Sequence, residues 1–337
     1  MSHVSNKTAE PLVEVWRGPL AESLHSGHAV VCDGTGQIVD SWGNPKEIVL
    51  PRSSSKMVQA LPLITSGAAA ARGLDERRLA LACASHQGAP EHVSAVSAWL
   101  GELGLQETDL RCGPQPSRDK DLKLQMIRDD QAPCQLHNNC SGKHAGFLTL
   151  AQHLGAGPEY VDPDHPVQLA CKDAFEEITQ ETSPGFGIDG CSAPNFATSM
   201  HGMARAMAYF ATAHERSDTQ SNAAATLAAA MYAFPQMVAG SGRACTLLMR
   251  AASEPVALKT GAEGYFVAIL PKRGLGVALK ISDGATRAAE CAIAAILVRL
   301  GVLDAAHPDV KRFMTPEVKN WRGIVTGRIQ PSSALLA

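Results

Sequence analysis

Tyr265-Phe266-Val267-Ala268-Ile269-Leu270, then Pro271-Lys272-Arg273-Gly274, then Leu275 to Ile281, is the stretch that decides the fold. Two apolar, β-prone runs flanking a turn that carries Pro and Gly predict a hairpin. On its C-terminal side, Ala285 to Leu300 has the apolar content of a helix. At the far end of the chain the same signals return. Val13 to Trp16, Gly27 to Cys32 and Gln37 to Trp42 read as short strands, the latter two joined by the turn Asp33-Gly34-Thr35-Gly36. Between the two ends the pattern is helical, over Ser53–Arg72, Pro90–Leu103, His165–Thr179, Met200–His214 and Asn222–Ala233. Strands at both termini with helices between them predict an α/β (α+β) fold. An antiparallel sheet is built from residues 12–50 and 258–303, and a helical layer or subdomain from 53–257. Nothing reads as a linker, so a single domain over 10–331 is expected.

Composition narrows the function classes. Of 337 residues, 45% are apolar and 19% charged, the balance of an ordinary globular protein able to bury a sizeable core. The formal net charge of −3 comes without any block of Lys and Arg, which argues against nucleic acid as a partner. The first ten residues are polar and lack the apolar core of an export signal. The most apolar helix, Ala288 to Leu300, is interrupted by Glu290 and Arg299. We therefore expect a cytoplasmic protein that does not enter membranes. In that reducing compartment an odd count of nine cysteines reads as core residues, metal ligands or reactive thiols.

Upstream of the decisive hairpin stands Lys259-Thr260-Gly261, and far earlier stands Pro51-Arg52-Ser53-Ser54-Ser55-Lys56, where a strand-like run turns helical. Ser53 and Lys56 are three apart, so on a helix they share a face. A serine there lies beside unpaired backbone N–H groups able to hold an oxyanion. Its hydroxyl needs a base, and lysine serves only if burial or a second cation keeps it neutral. Lys259 is such a cation. Each motif alone is a common accident, Ser-x-x-Lys being as a rule a capping serine near a solvated lysine. Together and in this order they are similar to the pattern of penicillin-recognising enzymes. Ser85, in Ala82-Cys83-Ala84-Ser85-His86-Gln87-Gly88, is a further candidate, weighed against a plain loop serine.

A second concentration of donors is His137-Asn138-Asn139-Cys140-Ser141-Gly142-Lys143-His144, with Gly187-Ile188-Asp189-Gly190-Cys191 further on. Cys140 and Cys191 are natural zinc ligands, and His137 or His144 the obvious third. No paired Cys-x-x-Cys occurs, so buried thiols are the stronger reading from spacing alone. The glycines at 142, 187 and 190 suggest close backbone approach. Cys32, Cys83, Cys112, Cys134, Cys171, Cys245 and Cys291 read as core.

Taken together, Arg52-Ser53-Ser54-Ser55-Lys56, Cys83-Ala84-Ser85-His86, Asn138-Asn139-Cys140-Ser141-Gly142-Lys143-His144-Ala145-Gly146, Gly187-Ile188-Asp189-Gly190-Cys191 and Lys259-Thr260-Gly261-Ala262-Glu263-Gly264 resemble the asparaginase II family of Rhizobium etli type. The resemblance runs from about the first strand to the last helix. It implies a fold similar to serine β-lactamases and penicillin-binding proteins, a homodimer, and hydrolysis of L-asparagine. It further implies two Ser-Lys pairs, Ser53 with Lys56 and Ser85 with Lys259. Zinc would sit on Cys140, Lys143, Cys191 and a water, with Arg52, His144 and Asp189 near the substrate. Lysine binds zinc only after losing its proton. The competing readings are a β-lactamase or peptidoglycan peptidase, and a non-catalytic amino-acid sensor that keeps the pocket.

Overall fold

The computed structural model describes residues 8–336; the first seven residues of the polar N-terminus lie outside it. The chain forms two compact units. One comprises the chain up to Ser54, Thr198–Thr212 and Ala244 onward; the other comprises Ser55–Ala197 and Ala213–Arg243.

The first unit is built on an eight-stranded antiparallel sheet. Seven strands run in the spatial order Glu317–Lys319, Val325–Pro331, Glu10–Arg17, Leu20–Cys32, Leu275–Ile281, Tyr265–Leu270 and Ala257–Thr260, and Ile38–Trp42 pairs with Leu20–Cys32. The predicted hairpin is present, with Leu270 opposite Leu275 and Tyr265 opposite Lys280. Gly274 closes it at φ +62, the left-handed region that glycine enters without steric cost. Every side chain from Tyr265 to Leu270 is fully buried, because the helices Met200–Ala211 and Thr286–Arg299 both pack on these central strands. Such strands are continuously apolar rather than alternating. Contact with the first of these helices is tight: a Cβ on Gly276 would lie 2.0 Å from the Ala208 nitrogen. The α+β class and the sheet drawn from both chain ends are as read from the sequence. The sheet also extends past residue 303, through two half-exposed strands, 317–319 and 325–331, whose mixed polar pattern gave no clear alternation.

The second unit is mainly helical. Its helices include Lys56–Gln59, Leu61–Thr65, Glu76–Ala82, Pro90–Glu102, Ser141–His153, Pro166–Thr179 and Thr219–Ala233, with a small hairpin of Phe186–Ile188 and Pro194–Phe196. The helix Ser141–His153 runs through the middle and is buried from Ser141 to Ala151. Trp99 is fully buried and donates its indole N–H to Thr149 Oγ1 at 3.1 Å, which satisfies the one polar atom that burial would strand. The single helix expected over 53–72 is instead a series of short pieces, Arg52–Ser55, Lys56–Gln59, Leu61–Thr65 and Ala68–Ala71. Pro62 lacks an N–H and its ring excludes the carbonyl four residues back, so the helix breaks at Ala60. Gly67, at φ +85, ends the next piece. Among the described residues no helix is long and apolar enough to cross a membrane.

Candidate active site

In the second unit Lys56 opens a short helix and is 1% exposed. Its Nζ is 3.1 Å from Ser85 Oγ and 3.1 Å from Cys140 Sγ, and it also donates to the Ala84 carbonyl. Ser85 follows the helix Glu76–Ala82, whose end leaves Ala84 and Ser85 in open chain. That segment is tied down by Ser85 N donating to Val238 O at 2.9 Å and His86 N donating to Asn139 O at 3.2 Å. Ser85 is itself buried, so the amine and the hydroxyl meet where water does not screen them.

Beside Lys56, the Asn-Asn-Cys-Ser-Gly-Lys-His block acquires a physical explanation. Asn138 donates to the carbonyls of Cys112 and Gly113, both at 2.9 Å, and accepts from Cys140 N at 2.9 Å. Asn139 Oδ1 accepts from the Cys140 thiol at 2.9 Å. Cys140 precedes the helix Ser141–His153, so Cys140, Lys143 and His144 fall three and four apart on one face. Gly142 is needed because a Cβ there would lie 2.4 Å from the Leu81 carbonyl oxygen. Gly190, by contrast, has open space around it.

Cys191 enters from the turn of the small hairpin. Asp189 N donates to Ala193 O, Ser192 N donates to Asp189 O, and Ser192 stands at φ +70. The turn brings Cys191 Sγ to 3.2 Å from Lys143 Nζ. Lys143 Nζ also lies 5.1 Å from the centre of the Phe147 ring. Contact with the Cys140 sulfur first, then Lys143 and His144, pulls Cys191 well below the usual thiol range against the effect of burial. Cys140 moves the opposite way, raised by the same contact and by burial. Burial pushes the Lys143 amine down, but the Cys191 and Cys140 sulfurs and the Asp189 carboxylate outweigh it and hold Lys143 above its ordinary value. These shifts favour a charged Lys143 beside a Cys191 that loses its proton easily.

Two sulfurs and a nitrogen converging on one place form a soft donor set suited to zinc, once Lys143 gives up its proton. Among the described residues no three His, Cys, Asp or Glu side chains group as a metal site. His137 spends Nδ1 on Cys134, 3.1 Å from its backbone nitrogen and 3.3 Å from its sulfur. All nine cysteines are free.

His144 is fully buried. Its Nδ1 lies 2.9 Å from the Tyr160 hydroxyl, while Nε2 makes no hydrogen bond of adequate distance and angle. Burial lowers the pKa of this imidazole, and the Cys191 sulfur opposes the shift. Asp189 is half-buried two residues before Cys191, its carboxylate turned back onto Gly190 N at 2.6 Å.

The remaining candidates lie in the first unit, where the two serine and lysine motifs pack against each other. Ser54 Oγ donates to the Lys259 carbonyl at 3.1 Å, and a Cβ on Gly261 would lie 2.7 Å from the Pro51 carbonyl oxygen. Lys259 is 1% exposed in the edge strand Ala257–Thr260 and donates to Thr260 O at 2.8 Å. Ser53 is half-buried on the short turn Arg52–Ser55, which runs directly into the helix that begins at Lys56. Arg52 sits at φ +53 and lines a cavity of about 430 Å³ with His28, Glu47, Glu263 and Lys280. Of the residues read from sequence, Lys56, Ser85, Cys140, Lys143, His144, Asp189 and Cys191 share the second unit; Arg52, Ser53 and Lys259 share the first. Two residues were missed. Tyr160 carries no local signal, and His86 reads as an ordinary residue beside Ser85.

The chain matches the family model described as L-asparaginase II over residues 13–331. No curated protein sequence matches at a significant level. Among solved structures it is similar to a protein called Mglu in its native form, at 12% identity and a TM-score of 0.45. That overlap takes in 83% of this chain and 63% of Mglu, so the chain spans under two thirds of that protein's length. A putative β-lactamase from Bacteroides dorei overlaps at 12% identity and TM-score 0.39, covering 76% of this chain and 84% of that one. A β-lactamase from Mycobacterium bovis overlaps at 11% identity and TM-score 0.35, covering 81% and 94% respectively.

Proposed function

Because the chain belongs to the L-asparaginase II family, we propose that it hydrolyses L-asparagine to L-aspartate and ammonia through an ester formed on a serine that lysine activates. The observation that carries this reading is the buried contact of Lys56 Nζ with Ser85 Oγ at 3.1 Å, hydrogen-bond distance for proton transfer between amine and hydroxyl.

In the proposed sequence Ser53 Oγ attacks the side-chain amide carbon and Lys56, as the neutral amine, takes the hydroxyl proton. Backbone N–H groups at the helix start hold the oxyanion. The proton passes to the leaving nitrogen, ammonia departs, and an aspartyl ester remains. Water, deprotonated by the same amine, hydrolyses the ester and restores the hydroxyl. Ser85 and Lys259 relay protons, Ser85 through its contact with Lys56. Arg52 pairs with the substrate α-carboxylate, Asp189 with its α-ammonium, and His144 contributes a polar wall. Cys140, Lys143 and Cys191 are the residues that would hold zinc with a water. Zinc, when bound, supplies a positive centre that orients substrate. A homodimer belongs to the same reading, on the family likeness.

A second reading is favoured by one observation: Ser85, already in contact with Lys56, is itself the nucleophile. The test is steady-state ammonia release from asparagine and from glutamine, with mass spectrometry of acid-quenched enzyme to locate the ester. The first reading expects release from asparagine, no turnover in Ser53→Ala, and the ester on the peptide containing Ser53. Near-normal turnover in Ser53→Ala with an inactive Ser85→Ala transfers the role to Ser85. No ammonia from asparagine with the unaltered enzyme sinks both.

A further inference from the structure

The buried polar group that the sequence above leaves unexplained is the Tyr160 hydroxyl, in the second unit. Tyr160 is fully buried, and its ring meets His144 edge-on with centres 5.4 Å apart. Its position is held by Gln168 Nε2, which donates to the Tyr160 carbonyl at 2.7 Å. The hydroxyl has two neighbours: Arg111 N at 2.7 Å and His144 Nδ1 at 2.9 Å. Arg111 N–H can only donate, so the phenol oxygen accepts there. The phenol proton then has one place to go, His144 Nδ1, which must present its lone pair. A neutral imidazole that accepts at Nδ1 carries its proton on Nε2.

We propose that Tyr160 is a positioning residue that fixes His144 as the Nε2–H tautomer and turns that proton toward the Cys191 sulfur. Tyr160 occupies Nδ1, so the interaction of the His144 ring with the Cys191 sulfur falls to Nε2, the buried nitrogen without a well-formed hydrogen bond. Burial raises the Tyr160 phenol, so it stays a donor across the working pH range. Two consequences follow. His144 has no lone pair on the side facing the cysteines, so it is not a metal ligand. Where the zinc reading of the preceding subsection holds, on which this step rests, His144 acts as an outer partner of a ligating thiolate, a place where substitutions typically cost about 10–100-fold in metal affinity.

The test is nitrogen NMR of the ¹⁵N-labelled metal-free protein, with His144 assigned by comparison with His144→Gln. The expected pattern is a protonated Nε2 and an unprotonated Nδ1. Tyr160→Phe, which keeps the ring and removes the hydroxyl, should lose that fixed pattern and weaken zinc binding by about 10-fold or more in chelator competition. A protonated Nδ1 in the unaltered protein overturns the inference. So does a Tyr160→Phe protein with unchanged tautomer and zinc affinity. If the unaltered protein takes up no zinc, the zinc reading fails alone and the tautomer pattern still decides this one. The measurement on unaltered protein stands even if the variant does not fold.

Discussion

Lys56 Nζ and Ser85 Oγ lie 3.1 Å apart though 29 positions separate them in the chain. Ser85 thereby enters the site as a direct neighbour of Lys56, and Cys140 Sγ touches the same nitrogen at 3.1 Å. One buried amine therefore touches both a candidate serine and the cysteine cluster.

Lys56→Met tests that junction. Methionine has similar length and fills the same space without a proton acceptor. On the proposed mechanism kcat falls by roughly 10²–10⁴-fold, the usual worth of a general base, with a smaller change in KM. The Ala84 carbonyl, the Ser85 hydroxyl and the Cys140 sulfur each lose a donor, so stability falls by about 1–3 kcal/mol in urea unfolding. Turnover within a few-fold of the unaltered enzyme would remove Lys56 from the chemistry.

Zinc removal separates orientation from catalysis. If Cys140, Lys143 and Cys191 hold a metal that arranges substrate while lysine and serine perform the reaction, chelation raises KM for asparagine by roughly 10-fold or more. The fall in kcat should be smaller than the rise in KM. Paired initial-rate curves before and after dialysis against chelator, with metal content measured on the same samples, read this directly. Complete loss of turnover at saturating asparagine contradicts it.

Much of the fold was legible because its signals are local. The run from Tyr265 to Leu270 is apolar at every position, and Gly274 closes the turn to Leu275. Ser53 and Lys56 were legible as a spacing. The helix Ser141–His153 escaped notice for a physical reason. It is buried on nearly every side and carries Ser, Gly, Lys and His at its start, so no apolar stripe betrays it. The pairing of Lys143 with Cys191 was suggested only by resemblance, since lysine is not expected among soft metal ligands. The contacts of Lys56 with Ser85, and of Tyr160 with His144, are made by chain folding back over long distances and leave no local pattern to read.

The stacked pair His86 and His92 predicts how stability depends on pH. The rings are parallel within 7° and 4.8 Å apart, and His86 directly follows Ser85. His86 Nδ1 accepts from Gly88 N at 3.1 Å, so its proton is on Nε2, 3.0 Å from Ser141 Oγ. Burial first, then the neighbouring charges, lowers His86 well below the usual imidazole value, and burial likewise lowers His92. Both take up a proton less readily in the folded chain than in the unfolded chain, where each does so below about pH 6.5. The unfolded state then binds more protons than the folded one. Stability is therefore fully present above pH 6.5 and is lost as pH falls from there toward the depressed folded-state values, by at most about 1.4 kcal/mol per pH unit for each group. Urea midpoints measured from pH 7.5 down to pH 5 should fall along this slope. His86→Gln, which keeps a polar side chain but cannot titrate, should flatten it, and an equally steep slope in that variant would rule the pair out as its source.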